Sequence, residues 1–134
     1  MARIRSSAII LRKKKILLIH RRKNSAEYWV LPGGGIENGE TAEEAVKREV
    51  KEETGLNAQK LTLKFWEKTA GWQQFPYFLC EVNNGNAILG GEEAEANCEE
   101  NNYHLEWIKF EDFNRLNFFP RKIKHNLLKL FSHK

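Results

Sequence analysis

Cysteine is nearly absent from this sequence: Cys80 and Cys98 are the two in 134 residues, and they form no C-x-x-C pair. Two unpaired thiols suit a reducing, cytoplasmic setting rather than a disulfide framework. No apolar run approaches the length of a membrane span. The start, Met1-Ala2-Arg3 followed by alternating residues, lacks the apolar core and small-residue cleavage site of a secretory signal. No internal repeat, low-complexity stretch or linker divides the chain. Also missing is a basic stripe interleaved with exposed aromatics, which argues against nucleic acid as the main partner. These absences leave a single domain over residues 1–134, expected to work in the cytoplasm, away from membranes.

What the chain does carry is an ordinary core-forming composition, 41% hydrophobic and 30% charged. Its net charge of +4 is concentrated in Arg12 to Lys15, Arg21 to Lys23, and Arg121 to Lys134. Positive clusters of this kind attract polyanionic small molecules such as phosphorylated nucleotides. Solvated lysines on the outer face of an amphipathic C-terminal helix are the plainer reading of the last cluster. Ile123, Leu127, Leu128, Leu130 and Phe131 would then lie on or beside its buried face.

One stretch stands apart. From Gly34 to Leu56 the chain reads GGIENGETAEEAVKREVKEETGL. Thr41 and Glu44 form the T-x-x-E capping box that opens a helix, and Gly55 suits the left-handed position that closes one. Ala42, Ala45, Val46 and Val50 make a narrow apolar stripe between them. Glu49, Glu52 and Glu53 fall within roughly 100° of helical arc, and Glu49 and Glu53 extend the core-facing stripe. Like charges at this spacing, near the negative end of the helix dipole, are unfavourable without a cation. Clustered carboxylate oxygens suit a hard divalent ion, Mg²⁺ or Mn²⁺. A solvated acidic helix is the bland alternative, and E-x-x-E-E alone would favour it. The full frame, G-x5-E-x7-R-E-U-x-E-E-x-G-U with U bulky and apolar, arises by chance on the order of 10⁻⁸ times per starting point.

That frame resembles the signature box of the Nudix hydrolases. The approach from Tyr28 through Trp29, Val30, Leu31 and Pro32 into Gly33, Gly34 and Gly35 is similar to the family's strand and glycine-rich loop. Residues Asn101 to Ile108 are similar to its late strand, leading into a short helix at Glu111 to Leu116. The resemblance implies a Nudix fold, an α/β/α sandwich around a mixed β-sheet. It implies metal-dependent hydrolysis of a pyrophosphate in a nucleoside diphosphate linked to another moiety, by water attack on phosphorus. Mg²⁺ is the implied cofactor, with Mn²⁺ as a substitute. Matched by position, Glu52 and Glu53 are paired metal ligands and Glu49 is a ligand or general base. Arg48 orients a box glutamate and by spacing can also pair with Glu44 or Glu52. Glu40 is peripheral, Gly33 or Gly34 offers a carbonyl ligand, and Glu100, with Glu99 second, is the candidate loop acid.

Substrate contacts are less marked. Arg21 or Arg22 is placed to meet phosphate, and Trp72, Phe75 and Tyr77 are candidates for stacking on a base. Strand aromatics more often belong to a core. Subgroup marks downstream of the box are unmet: Trp72 and Gln74 stand where ADP-ribose and dinucleoside polyphosphate hydrolases carry proline and tyrosine. A nucleoside triphosphate, ADP-sugar or dinucleoside polyphosphate all stay open, for a monomer or homodimer. Two alternatives share the fold: a non-catalytic nucleotide-binding module, and a pyrophosphohydrolase of 5′-phosphorylated RNA.

Strand patterning completes the expectation. Residues 3–11 and 15–20 read as a hairpin about Lys13-Lys14. Further strands are expected at 28–31, 58–69, 74–82 and 103–109, a helix at 41–54, and the last helix after Pro120. Strands alternating with two main helices imply a layered α/β domain.

Overall fold

The computed structural model describes residues 4–68, 73–88, 90 and 101–133. In chain order it has β1 (Arg5–Ile9), β2 (Leu11–Arg12), β3 (Lys15–Lys23), β4 (Ala26–Val30) and β5 (Gly33–Gly35). Helix α1 (Ala42–Thr54) follows, then β6 (Ala58–Lys68), β7 (Gln74–Val82) and β8 (Asn101–Lys109). A short α2 (Phe110–Phe113), a 3-10 turn (Arg121–Ile123) and α3 (Lys124–Phe131) end it.

The strands form two sheets. One has the order β5-β1-β7-β6, with β1 and β7 parallel and the other pairs antiparallel. The other is centred on β3, with β8 along one edge and β2 and β4 sharing the opposite edge. The sheet that holds β1 is therefore mixed.

The expected hairpin is only partly present. Lys13 and Lys14 do turn the chain, with φ of 49° and 60°, the left-handed pair that a two-residue hairpin needs. Yet only Leu11 and Arg12 pair with β3, and β1 joins the other sheet. The reason lies in burial. Ala8, Ile9 and Ile10 are all fully buried, so consecutive residues face covered layers on both sides, as a strand inside an α/β sandwich requires.

Those two layers have separate cores. Ala8, Ile10, Leu17 and Phe78 pack with Val46, Val50 and Leu56 on the α1 side. Ile9, Ile16, Leu18 and Tyr77 pack with Phe113, Ile123, Leu127 and Phe131 on the side of α2 and α3. Ile123, Leu127 and Phe131 follow the i, i+4, i+8 rule of an amphipathic helix. Layering is thus α/β/α, as the box resemblance implies. Helix α2 is shorter than the expected 111–116, ending at Phe113 with Asn114 as its cap. Strand β8 starts two residues early because β3 runs on to Lys23 and pairs with Asn101. Cys80 is a free thiol in the α1-side core, and burial pushes its pKa up to about 12. Cys98 lies outside the described residues.

Candidate active site

Helix α1 is locked at both ends. Thr41 N–H donates to Glu44 Oε1 at 2.8 Å, and Glu44 N–H donates back to Thr41 Oγ1 at 3.1 Å. At the other end Gly55 adopts φ 74° and donates to Lys51 O. Beyond β7 the chain returns to this terminus: Ile88 N–H donates to Thr54 O at 2.8 Å and Gly90 N–H to Glu53 O at 3.1 Å. These bonds satisfy helix carbonyls that have no partner within the helix. A side chain at position 90 would come within 2.5 Å of Glu52 O, so the close approach needs glycine.

The carboxylates of α1 meet the glycine strand β5. Glu53 is 2% exposed, and its Oε1 accepts from Gly33 N–H at 2.7 Å. A Cβ on Gly34 would stand 2.5 Å from the Glu49 carboxyl, so Glu49 packs directly on bare backbone. Nor could Gly33 carry a side chain, because Ser6 O would lie 2.3 Å from its Cβ. Two glycines thus let an edge strand press against two helix carboxylates.

Arg48 ties the group together. Its Nε donates to Glu40 Oε2 at 2.8 Å and its Nη2 to Glu40 Oε1 at 3.0 Å, a two-pronged contact. Nη1 donates to Glu49 Oε1 at 2.7 Å and to Glu52 Oε2 at 3.4 Å, and Nη2 reaches Gly35 O at 3.2 Å. The bond to Glu40, then that to Glu49, raises the Arg48 pKa further above its ordinary value, so the guanidinium stays charged. The main partner is therefore Glu40, eight residues back in the loop. Glu44 does not take Arg48 because it caps the helix. Glu40, expected to be peripheral, anchors the orienting arginine, and only the loop's return could reveal it.

Glu49, Glu52, Glu53 and Gly34 are thus gathered on one face. Among the described residues no three His, Cys, Asp or Glu side chains form a ready-made metal cluster, and Arg48 is the cation on this face. Glu99 and Glu100 lie outside the described residues.

Across the sheet lies a cleft of about 480 Å³. Ser6 and Ser7 mark the division: Ser6 Oγ donates to Ala42 O of α1, and Ser7 lines the cleft. Arg5, Arg21, Tyr28, Glu67, Tyr77 and Phe119 line it as well. Arg5 Nη2 donates to Leu31 O at 2.9 Å, two residues before the glycine strand begins. Trp29 N–H donates to Asn117 O and Phe119 N–H to Trp29 O, which sets Phe119 edge-on to Tyr28 at 5.8 Å.

The structure separates the two candidate arginines. Arg21 lines the cleft, stacked 4.7 Å from the Tyr103 ring centre, with its Nε buried and unpartnered. Arg22 points to an exposed ion pair with Glu27 at 2.7 Å, which holds the Glu27 carboxyl below its ordinary range. Tyr77 and Phe75 reach the cleft wall. The Tyr77 ring is stacked on Phe65 at 4.9 Å. Trp72 lies outside the described residues. Arg5, Glu67 and Phe119 carried no signal in the sequence, because three distant segments bring them together.

A mixed sheet and an antiparallel sheet between helices, with arginine-clamped carboxylates on a glycine strand, define a Nudix-type α/β domain. The NUDIX domain model matches residues 1–127, and the chain belongs to that family. The chain is similar to an ADP-ribose pyrophosphatase of Methanocaldococcus jannaschii, 59% identical over 49 residues, 36% of this chain and 29% of that one. It is also similar to the 8-oxo-dGDP phosphatase NUDT18 of Homo sapiens, 39% identical over 84 residues, 61% of this chain and 25% of that one. The chain thus spans under a third of the length of either relative. A solved MutT structure, from work on the Aliivibrio salmonicida and Vibrio cholerae proteins, shares the fold with a TM-score of 0.74. That likeness covers 96% of this chain and 95% of that one at 21% identity.

Proposed function

We propose that this chain is a metal-dependent pyrophosphohydrolase of nucleotide-type substrates. The observation that carries the reading is the Glu53–Gly33 contact at 2.7 Å, a carboxylate 2% exposed and tied to the glycine strand. Burying a carboxylate near a helix C-terminus is costly, and a nearby cation offsets that cost. The donors here are oxygens on a rigid, doubly capped helix, a set that suits Mg²⁺, with Mn²⁺ as a substitute. Glu49, Glu52, Glu53 and the Gly34 carbonyl would hold the ion. When bound, it neutralises phosphate charge and lowers the pKa of an attacking water.

The chain's own groups then divide the work. Arg48, held by Glu40, fixes the Glu49 carboxylate through the 2.7 Å bond, and Glu49, where it is not itself a ligand, would take the water's proton. The cleft beyond β1 takes the nucleoside between Tyr28, Phe119 and Phe75, and Arg21 meets a polar or phosphate oxygen there. A phosphate chain leaving the cleft at Leu31 passes onto the glycine strand two residues on. The relatives are named for ADP-ribose in one case and 8-oxo-dGDP in the other, which supports a substrate choice made outside the box. No helix among the described residues is long and apolar enough to cross a membrane, and we place the enzyme in the cytoplasm, as monomer or homodimer.

The test is chromatographic separation of hydrolysis products from nucleotides, ADP-ribose, dinucleoside polyphosphates and 5′-triphosphorylated RNA, with Mg²⁺ and with Mn²⁺. Turnover should require the ion and vanish on adding chelator. A parent protein that turns over nothing would support the non-catalytic binding module instead. Preference for triphosphorylated RNA, falling steeply with salt, would favour the RNA reading suggested by the basic ends.

A further inference from the structure

The cleft contains one arrangement that bears on which base it takes, and it rests on the nucleotide reading above. Glu67, near the end of β6, lies on the same strand face as Phe65, and both meet Tyr77 of β7. Tyr77 Oη donates to Glu67 Oε1 at 2.8 Å. Burial first, and the bond to Glu67 second, pushes the Tyr77 pKa well up, so the phenol keeps its proton. Its one O–H is thereby committed to Glu67 and is not offered to a ligand. The carboxylate accepts several hydrogen bonds, and Tyr77 uses one. Glu67 is also the only acidic side chain lining this cleft among the described residues.

A carboxylate accepts and cannot donate, so it discriminates among bases by their edges. Guanine presents two adjacent donors, N1–H and the 2-amino group, which a carboxylate takes together. Adenine and cytosine place a ring-nitrogen lone pair beside a single amino donor, and that lone pair opposes the carboxylate. Uracil and thymine flank one N–H with two carbonyl oxygens. The cleft also holds an unpartnered donor, the buried Arg21 Nε, which suits a ligand carrying an acceptor such as guanine O6.

We propose that Glu67, oriented by Tyr77, is a specificity-determining residue that makes this cleft select guanine-type bases. Oxidation at guanine C8 leaves the N1 and 2-amino edge unchanged, so the same contact accepts guanine and its 8-oxo form.

Binding of mononucleotide products tests this without requiring turnover. By calorimetry with GMP, AMP, CMP, UMP and IMP, GMP should bind about tenfold or more tightly than AMP. IMP, lacking the 2-amino group, should fall between them. Glu67→Gln should reduce GMP affinity about tenfold and leave AMP unchanged or improved, collapsing the ratio. Tyr77→Phe should keep the order of bases with a smaller ratio. Equal binding of GMP and AMP by the parent, or a GMP preference surviving in Glu67→Gln, overturns the proposal. Should Glu67→Gln fail to fold, the ranking of GMP, IMP and AMP on the parent decides alone. Absence of all nucleotide hydrolysis together with intact GMP selectivity would sink the hydrolase reading and leave this one standing.

Discussion

The two faces of strand β1 are assembled by different rules. On the α1 side, Arg48, Glu49, Glu52 and Glu53 come from six consecutive residues of one helix, joined by Glu40 from the loop before it. On the cleft side, Arg5, Arg21, Tyr28, Glu67, Tyr77 and Phe119 come from β1, β3, β4, β6, β7 and the segment ahead of the 3-10 turn. The first set shares one rigid scaffold, so its geometry is settled once the helix is capped. The second exists only when both sheets are in register. Chemistry built on a helix can stay constant while a cleft assembled from six segments changes its choice of ligand, one residue at a time.

Substitutions that strike one face alone sharpen this contrast. Glu53→Gln should have the largest effect, a loss of about a thousandfold in turnover read by product chromatography. GMP affinity by calorimetry should stay within about twofold, because the cleft lies across the sheet. Equal losses in both would show that the two faces are not separable.

Arg48→Ala should come next. It leaves Glu40 and Glu49 without their shared cation, so kcat should drop about a hundredfold. The midpoint of chemical denaturation should reveal a stability loss of about 1–3 kcal/mol, moderate because these groups are partly exposed. Tyr28→Ala strikes the other face. It should raise KM about tenfold through lost base stacking and leave kcat nearly unchanged. A fall in kcat of the same size as the rise in KM would place Tyr28 among groups that act on the reacting phosphate.

Thr41→Ala is the smallest change. It removes the hydroxyl that accepts from Glu44 N–H, and thermal unfolding should report a loss of about 1 kcal/mol. Specific activity per folded molecule should persist, since the far end of α1 is held independently by Gly55, Ile88 and Gly90.

How much was legible follows from how local each cause is. The ends of α1 were readable within a residue because Thr41, Glu44 and Gly55 act through bonds only a few positions long. Local pattern does not reveal that β1 leaves the hairpin, because its parallel partners, Tyr77 to Leu79, lie some seventy positions away. Arg21 and Arg22 could not be told apart by pattern, and the outcome turned on which face of β3 meets the cleft. The part played by Glu40 is hidden from local pattern, since its bond to Arg48 needs the loop to fold back over the helix. Glu67 gave no sign at all: a lone acid on a half-exposed strand becomes a reader of ligands only beside Tyr77.

By itself, then, the sequence determined the capped helix, its row of carboxylates, the glycines that let backbone approach them, and the family to which the chain belongs. Short-range hydrogen bonding and helical periodicity dictate those features before any sheet forms. Tertiary structure alone decided that Glu40 anchors Arg48, that Arg21 rather than Arg22 reaches the cleft, and that Glu67 meets Tyr77. The first depends on the loop folding back over α1, and the other two on strand pairing, where register and sheet twist, not local spacing, set which side chains meet.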